Sequence, residues 1–339
     1  MRARLRLRSQ ALVGSRARDA TQAVRAMAGL QGQDLEGAKW SIGLRVPKST
    51  VADVERAFSE GELVRTWPMR GTLHVVAAED VRWLLSLTAK GNLQRAAYRR
   101  KQLGLDEKTL SKSRKVLARV LRGKHLTREE LAAALSRAKL STEGQRAYHL
   151  LWDAAVQGLI CTGAPRGKAQ TFALLDEWAP KSRALEGDEA LAELARRYFT
   201  TRGPASLKDF TWWSGLGARE AKRGLEAVKS SLEEDDEGFS SPPGLSAPAS
   251  PTLLALPGFD ELLLGYQDRS ASLDPKYAPR ICPGGNGVFQ PTLVLDGRVV
   301  GTWRRATREL ELFTSLPRAR RRLADEALAR YGAFLGKQD

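Results

Sequence analysis

A chain of 339 residues can bury a large core and hold two or three small domains, and its 42% hydrophobic and 28% charged residues are an ordinary globular balance. The charge is not ordinary: 55 Lys and Arg against 39 Asp and Glu give +16 and a pI near 10.1, which points to a polyanionic partner, nucleic acid first. No apolar run is long enough to span a bilayer, and two distant cysteines (Cys161, Cys282) with three scattered histidines (His74, His125, His149) make neither a disulfide framework nor a zinc site.

The start, MRARLRLRSQ, alternates Arg with apolar residues but leads into no apolar run, so it is no secretory signal. It suits a short strand or an arm lying on phosphates. Asp19 to Leu30 reads as a helix with Ala20, Val24, Met27 and Ala28 inward. GLQGQDLEGAKWSIGLR, residues 29–45, follows. Gly29 and Gly32 disfavour a helix, and in an extended segment Gln31 and Gln33 project from one face. Asp34 then caps a helix through Leu44, which sets two amides beside a helix N-terminus. The same residues also suit a polar loop that only caps a helix. Val51 to Glu60 forms another short helix, closed by Gly61, and LVRTWPMRGTLHVV alternates as a hairpin. Three helices and a hairpin is the order of a winged helix-turn-helix.

The order repeats. After a helix at 78–87 and a strongly basic stretch at 90–124, Leu110–Leu121, the Thr127-capped helix Arg128–Arg137 and the helix Glu143–Gly158 precede a hairpin, Leu159–Leu175. Arg146 falls on the third of these helices, at a recognition-helix position, and the hairpin tip is a basic wing with Arg166 and Lys168. A third copy reads as Glu189–Thr200, Leu207–Ser214 and Ala218–Ser231, then the acidic run 233–237 and a mobile Ser/Pro/Gly/Ala-rich excursion at 240–251. A buried strand at Thr252–Leu256 and the segment Phe259–Tyr266 come next. The clearest hairpin is Thr292–Arg305, turning at Asp296-Gly297 and carrying Arg298, Arg304 and Arg305. A basic cluster (Arg318, Arg320, Arg321, Arg322) and a final helix, Leu323–Leu335, end the chain. The fold class is α+β, mainly α: three tandem winged helix-turn-helix units with a β-rich C-terminal portion. The boundaries fall at 1–88, 89–178, 179–258 and 259–339.

Four stretches in order, GLQGQDLEGAKWSIGLR, LVRTWPMRGTLHVV, LPGFDELLLGYQDR and LVLDGRVVGTWRR, resemble the tandem winged-helix proteins that include the bacterial AlkZ and YcaQ DNA glycosylases. The resemblance covers almost the whole chain. It implies three winged-helix units around a central channel and removal of bulky alkylated purines, crosslinks included, by hydrolysis of the N-glycosidic bond. The family's signature is glutamine, an aliphatic residue, then glutamine or aspartate. Gln31 and Gln33 match its outer positions in the AlkZ manner, and Gly32 departs from the aliphatic one, which loosens the loop and removes a packing anchor.

A cationic alkylpurine leaves without protonation, so two amides that fix a water and face an oxocarbenium-like sugar suffice as catalysts. Gln31 and Gln33 take that role. Asp34 is a third candidate with the N-cap as its alternative, and Trp67, Met69, Arg70 and His74 line the lesion channel or else pack the hairpin. The DNA-gripping set is Arg146, Arg166, Lys168, Arg298, Arg304 and Arg305. No lysine sits as a Schiff-base nucleophile, since Lys39 is a helical turn or more away, so a lyase step is not expected. The reading is a monomeric, cytoplasmic, nucleoid-associated glycosylase for duplex DNA carrying alkylated purines, with no cofactor, metal or membrane. The alternative is a winged-helix DNA-binding regulator without chemistry.

Overall fold

The computed structural model describes residues 1–336, with the side chains of 318 and 319 set apart; the predicted Arg318 side chain therefore lies outside the described residues. The N-terminus is neither strand nor phosphate-binding arm. Arg2–Ser9 is a helix (α1) that buries Ala3, Arg6 and Leu7, spaced three and four apart. Its period-2 look came from arginines, of which Arg6 is buried while Arg2 and Arg4 are bound to other parts of the chain. The Arg6 guanidinium lies 3.5 Å over the Tyr266 ring and its Nε donates to the Pro204 carbonyl at 3.0 Å. Arg2 pairs with Glu237 at 2.9 Å, and Arg4 donates to the Pro248 carbonyl, so α1 ties down the excursion after residue 232.

Three helices follow, each capped as its sequence dictates: α2 (Ala20–Ala26) by Asp19, α3 (Leu35–Leu44) by Asp34, and α4 (Val51–Ser59) by a Thr50/Asp53 capping box. Strands β1 (Leu30–Gln31), β2 (Leu63–Thr66) and β3 (His74–Ala77) form an antiparallel sheet of order β1-β3-β2. Its register places Gln31, His74 and Thr66 side by side, one per strand and on one face.

The next helix, α5 (Val81–Gln102), runs 22 residues rather than stopping at 87. No proline or cap falls between residues 88 and 102, and Arg95, Arg99 and Arg100 find partners in Gly215, Gln145 and Asp153. Helices α6 (Glu107–Leu121), α7 (Arg128–Arg137) and α8 (Arg146–Val156) then pack with β4 (Leu126–Thr127), β5 (Ile160–Thr162) and β6 (Thr171–Leu174), in sheet order β4-β6-β5. The short α9 (Leu175–Trp178) leads to α10 (Gly187–Arg202), α11 (Leu207–Ser214) and α12 (Ala218–Val228), and to a two-stranded β7 (Glu233–Glu234) and β8 (Ser240–Ser241).

The C-terminal part holds β9 (Leu253–Leu256), the short helices α13 (Glu261–Leu264) and α14 (Ala278–Ile281), β10 (Thr292–Leu295), β11 (Arg298–Trp303), β12 (Leu310–Leu312) and α15 (Arg318–Phe334). The sheet order is β12-β11-β10-β9, and Asp296 and Gly297, both at positive φ (50° and 83°), make the tight turn. This part shares one apolar core with residues 7–75. Trp40 of α3 donates its indole N–H to the Ala255 carbonyl at 2.7 Å, Trp303 donates to Leu256 at 2.8 Å, and both rings stand edge-on to Tyr331. The first and last segments of the chain thus build one body, and the Gln loop lies where they meet. Among the described residues no helix is long and apolar enough to cross a membrane.

Candidate active site

The segment 30–34 is held from every side. Gly32 donates its N–H to the Leu73 carbonyl at 2.7 Å, and its own carbonyl accepts from Arg65 Nη2 at 2.8 Å. A Cβ at position 32 would lie 3.1 Å from the His74 carbonyl carbon and the Val75 nitrogen. The glycine therefore allows close approach of β1 to β3, and the segment is pinned rather than loosened. Arg65 is buried, bonds Gln170 at 2.8 Å with its other arm, and has its pKa pushed down to about 10, chiefly by burial. Asp34 caps α3, accepting from Gly37 N–H at 3.1 Å, and pairs with Arg305 Nη2 at 2.5 Å. With both partners it is occupied, which favours its structural role over that of a base.

The two glutamines are not equivalent. Gln31 is 7% exposed, and its amide oxygen is buried without a protein partner. Gln33 is exposed. Two neighbours in the Gln31 row share its condition: Thr66 Oγ1 and His74 Nε2 are also buried and unpartnered. His74 Nδ1 lies 2.9 Å from the Thr72 carbonyl, which can only accept, so Nδ1 carries the proton and Nε2 the lone pair. Leaving a polar atom so placed costs about 1–3 kcal/mol. Three in one row across a sheet mark a place where stability yields to another demand.

Under this row lies a buried charge cluster that the sequence did not reveal. Glu261 Oε1 accepts the Gln31 backbone N–H at 3.2 Å, and its Oε2 accepts from Arg202 at 2.8 Å and from the Trp213 indole at 2.9 Å. Arg202 also donates to the carbonyls of Met27 (2.9 Å) and Gly29 (3.1 Å), just ahead of Gln31. Next door, Asp260 takes both arms of Arg45 at 2.8 and 3.0 Å. Burial opposes ionisation of both carboxyls, but their arginines and donors hold both pKa values below the ordinary range. The only available signal was two acids inside the apolar stretch GFDELLLGY.

His74 is fully buried, and burial, with Arg70 adding to it, pushes its pKa down to about 4. Between pH 6.5 and about 4 the unfolded chain holds a proton that the folded chain lacks. Acid therefore favours unfolding across that window, at about 1.4 kcal/mol per pH unit for one proton. His74→Gln is expected to flatten the fall in denaturation midpoint over this range, measured by urea titration at several pH values.

Beside Gln31 opens a cavity of about 930 Å³ whose walls include Arg70, Trp212, Phe259, Arg269 and Phe289. Arg70 reaches it from a left-handed backbone (φ 54°), unusual for a non-glycine residue and paired with Gly71 at φ 65°. Its guanidinium lies 4.6 Å from the Trp212 ring and donates to the Trp213 carbonyl; burial holds its pKa near 10. The other channel candidates lie elsewhere. Met69 is fully buried in the core around α10, and Trp67 packs with α6 and α8. Trp67 lies just past β2 and Met69 opens the short turn before β3, and both pack into core, the alternative to a channel lining that the sequence left open.

The expected DNA-gripping residues are scattered. Arg146 is spent on the Leu103 and Ser141 carbonyls, and Arg166 pairs with Glu130 at 2.9 Å. Lys168 is exposed on the β5–β6 wing, and Arg298 is exposed at the β10–β11 turn. Arg304 is exposed and pairs with Glu309 at 3.2 Å, while Arg305 turns inward to Asp34. Lys39 is held by Glu36 and Glu55 at 2.8 and 2.7 Å, so it offers no free amine. No cluster of His, Cys, Asp and Glu fit to hold a metal ion occurs among the described residues.

A mixed fold of helices and small antiparallel sheets, with a glutamine pinned at a cavity wall, meets its match in one family. The model of the AlkZ-like DNA glycosylases covers residues 24–334, and the chain belongs to that family. It is similar to the interstrand DNA cross-link repair glycosylase of Streptomyces sahachiroi, 28% identical over 311 residues, which are 86% of this chain and 83% of that protein. It also superposes on the solved DNA glycosylase AlkZ of the same organism with a TM-score of 0.85 at 24% identity, over 99% of this chain and 96% of the other, a likeness of fold.

Proposed function

We propose that this protein is a monofunctional DNA glycosylase that hydrolyses the N-glycosidic bond of N7- or N3-alkylated purines in duplex DNA, interstrand crosslinks among them. The observation that carries the reading is the Gln31 amide oxygen, buried and unpartnered at the wall of the cavity. An acceptor kept without a partner is ready for a donor that arrives with substrate. In this reading that donor is the attacking water on the far side of C1′. The amide oxygen takes a hydrogen bond from the water and turns a partial negative charge toward the sugar as positive charge develops there. A cationic purine leaves as a neutral base, so no strong acid is required. Gln33, exposed beside it, supplies the second contact to the water at the mouth of the site. The name of the Streptomyces relative, an interstrand DNA cross-link repair glycosylase, supports the substrate class.

The protein acts as a monomer in the cytoplasm, on the nucleoid. Its α2–α4 with β1–β3, α6–α8 with β4–β6, and α10–α12 with β7–β8 are each read as a winged helix-turn-helix unit. The charge of +16 supplies the attraction to the duplex, with Lys168 and the β10–β11 hairpin as contacts. Arg304→Ala is expected to lower the slope of log K against log salt by about 1, the value for one lost phosphate contact. An unchanged slope would remove Arg304 from the interface. The test of the activity is abasic-site formation on duplex carrying N7-methylguanine. Tight, sequence-selective binding to undamaged duplex without abasic product would replace the enzyme by a DNA-binding regulator.

A further inference from the structure

We propose that His74 is the positioning residue that sets which end of the Gln31 amide faces the cavity: Gln31 donates a side-chain N–H to His74 Nε2 and turns its carbonyl oxygen to the substrate side. This rests on the glycosylase reading and adds a residue to its site. The Gly32 N–H goes to the Leu73 carbonyl and the Gln31 backbone N–H to Glu261, so Gln31 and His74 are a non-hydrogen-bonded pair of the β1–β3 ladder. That is the closer of the two antiparallel pairings, with Cα atoms about 4.5 Å apart and side chains neighbouring on one face. His74 turns its own backbone N–H and carbonyl toward β2, which makes Thr66 the wider partner, at about 5.5 Å between Cα atoms.

Across this short spacing the two side chains bring one acceptor each. Gln31 Oε1 and His74 Nε2 are both buried and unpartnered. The ring cannot supply the missing donor at Nε2. Its proton sits on Nδ1 against the Thr72 carbonyl, and burial, with Arg70 adding to it, keeps a second proton off until about pH 4. The amide can supply it. The terminal torsion of a glutamine side chain is soft and roughly two-fold, so a half-turn exchanges its two ends. One N–H then answers Nε2, and the oxygen turns away from His74. Gln31 lines the cavity, so the half-turn offers that oxygen to a water at C1′. One rotation thus removes two buried faults and delivers the acceptor that the reaction requires.

The direct test is the coupling through the hydrogen bond between the nitrogens of Gln31 Nε2 and His74 Nε2, read by NMR on the nitrogen-15-labelled full chain without DNA. It is expected in the native protein and lost in Gln31→Ala. Its absence from the native protein overturns the proposal and leaves Thr66 or a buried water as the donor to His74. The kinetic test is single-turnover release of N7-methylguanine by His74→Phe, His74→Gln, Gln31→Ala and the Gln31→Ala/His74→Phe double variant, with duplex affinity measured beside it. His74→Phe keeps a ring without a lone pair. It is expected to lower the rate about 2- to 10-fold at unchanged affinity, the worth of one neutral hydrogen bond, with recovery in His74→Gln, whose side-chain oxygen accepts in place of Nε2. In the Gln31→Ala background the same change is expected to have no effect, because His74 acts through that amide alone. An unchanged rate in His74→Phe, or an equal loss in both backgrounds, overturns the proposal. No release by the native protein overturns the glycosylase reading, and the coupling, read without DNA, still decides how the amide is turned.

Discussion

Gln31→Ala is expected to lower the rate of base release by roughly 10²–10³-fold, the usual loss when one preorganised electrostatic contact is removed from a site. DNA affinity should persist, because the side chain is buried and contributes nothing to the phosphate-binding charge. Gln33→Ala should cost less. Gln33 is exposed, whereas Gln31 is locked by β1 pairing, by Glu261 on its N–H and by the Arg65 grip on the next carbonyl. The ordering, Gln31 above Gln33, is the structural content of this prediction. Single-turnover rates on N7-methylguanine duplex measure it, and equal effects would mean that Gln33 folds into the site when DNA binds.

Glu261→Ala is expected to destabilise the protein by about 3–5 kcal/mol, the cost of leaving a buried charge without its partner. Arg202 would lose its carboxylate while fully buried, and so would the Trp213 indole N–H. Domains are stable by only about 5–15 kcal/mol, so this is a large share, readable as a shift of the urea midpoint. The same pair makes stability acid-sensitive. The carboxyls of Asp260 and Glu261 have folded pKa values below their unfolded ones, so their contribution is present above the unfolded values and is lost as pH falls through the folded ones. A variant as stable as the native protein would show that the Glu261–Arg202 pair does not brace the Gln31 strand.

Much of the fold was legible because it rests on local chemistry. Asp34, Thr50, Thr127 and Ser206 cap helices as their spacing to the first turn dictates, and Asp296-Gly297 closes the hairpin it announces. Local pattern failed where tertiary partners decide. The arginines of α1 look solvated in sequence, yet Arg6 is buried against Tyr266 some 260 positions away, and no local rule reports such a pairing. The Gln31/Gln33 pair was visible as a pattern, but its asymmetry depends on β3 and on Glu261, both distant in the chain. Met69 and Trp67 show the converse: both sit in the turn between β2 and β3, where alternation assigns no face, and only the helices packed against that turn make them core. Asp260 and Glu261 were overlooked because isolated acids in an apolar run carry no sign of their arginines, Arg45 and Arg202.

The central claim is that Gln31 and Gln33 position the water that releases an alkylated purine. Its most direct measurement is base release from duplexes carrying N7-alkylguanines, from methyl to crosslink, by the native protein and by the Gln31→Ala/Gln33→Ala double variant, with duplex affinity measured beside it. The account predicts abasic product from the native protein alone, at equal affinity. Release by the double variant at the native rate, or tight binding by the native protein with no release from any lesion, would contradict it.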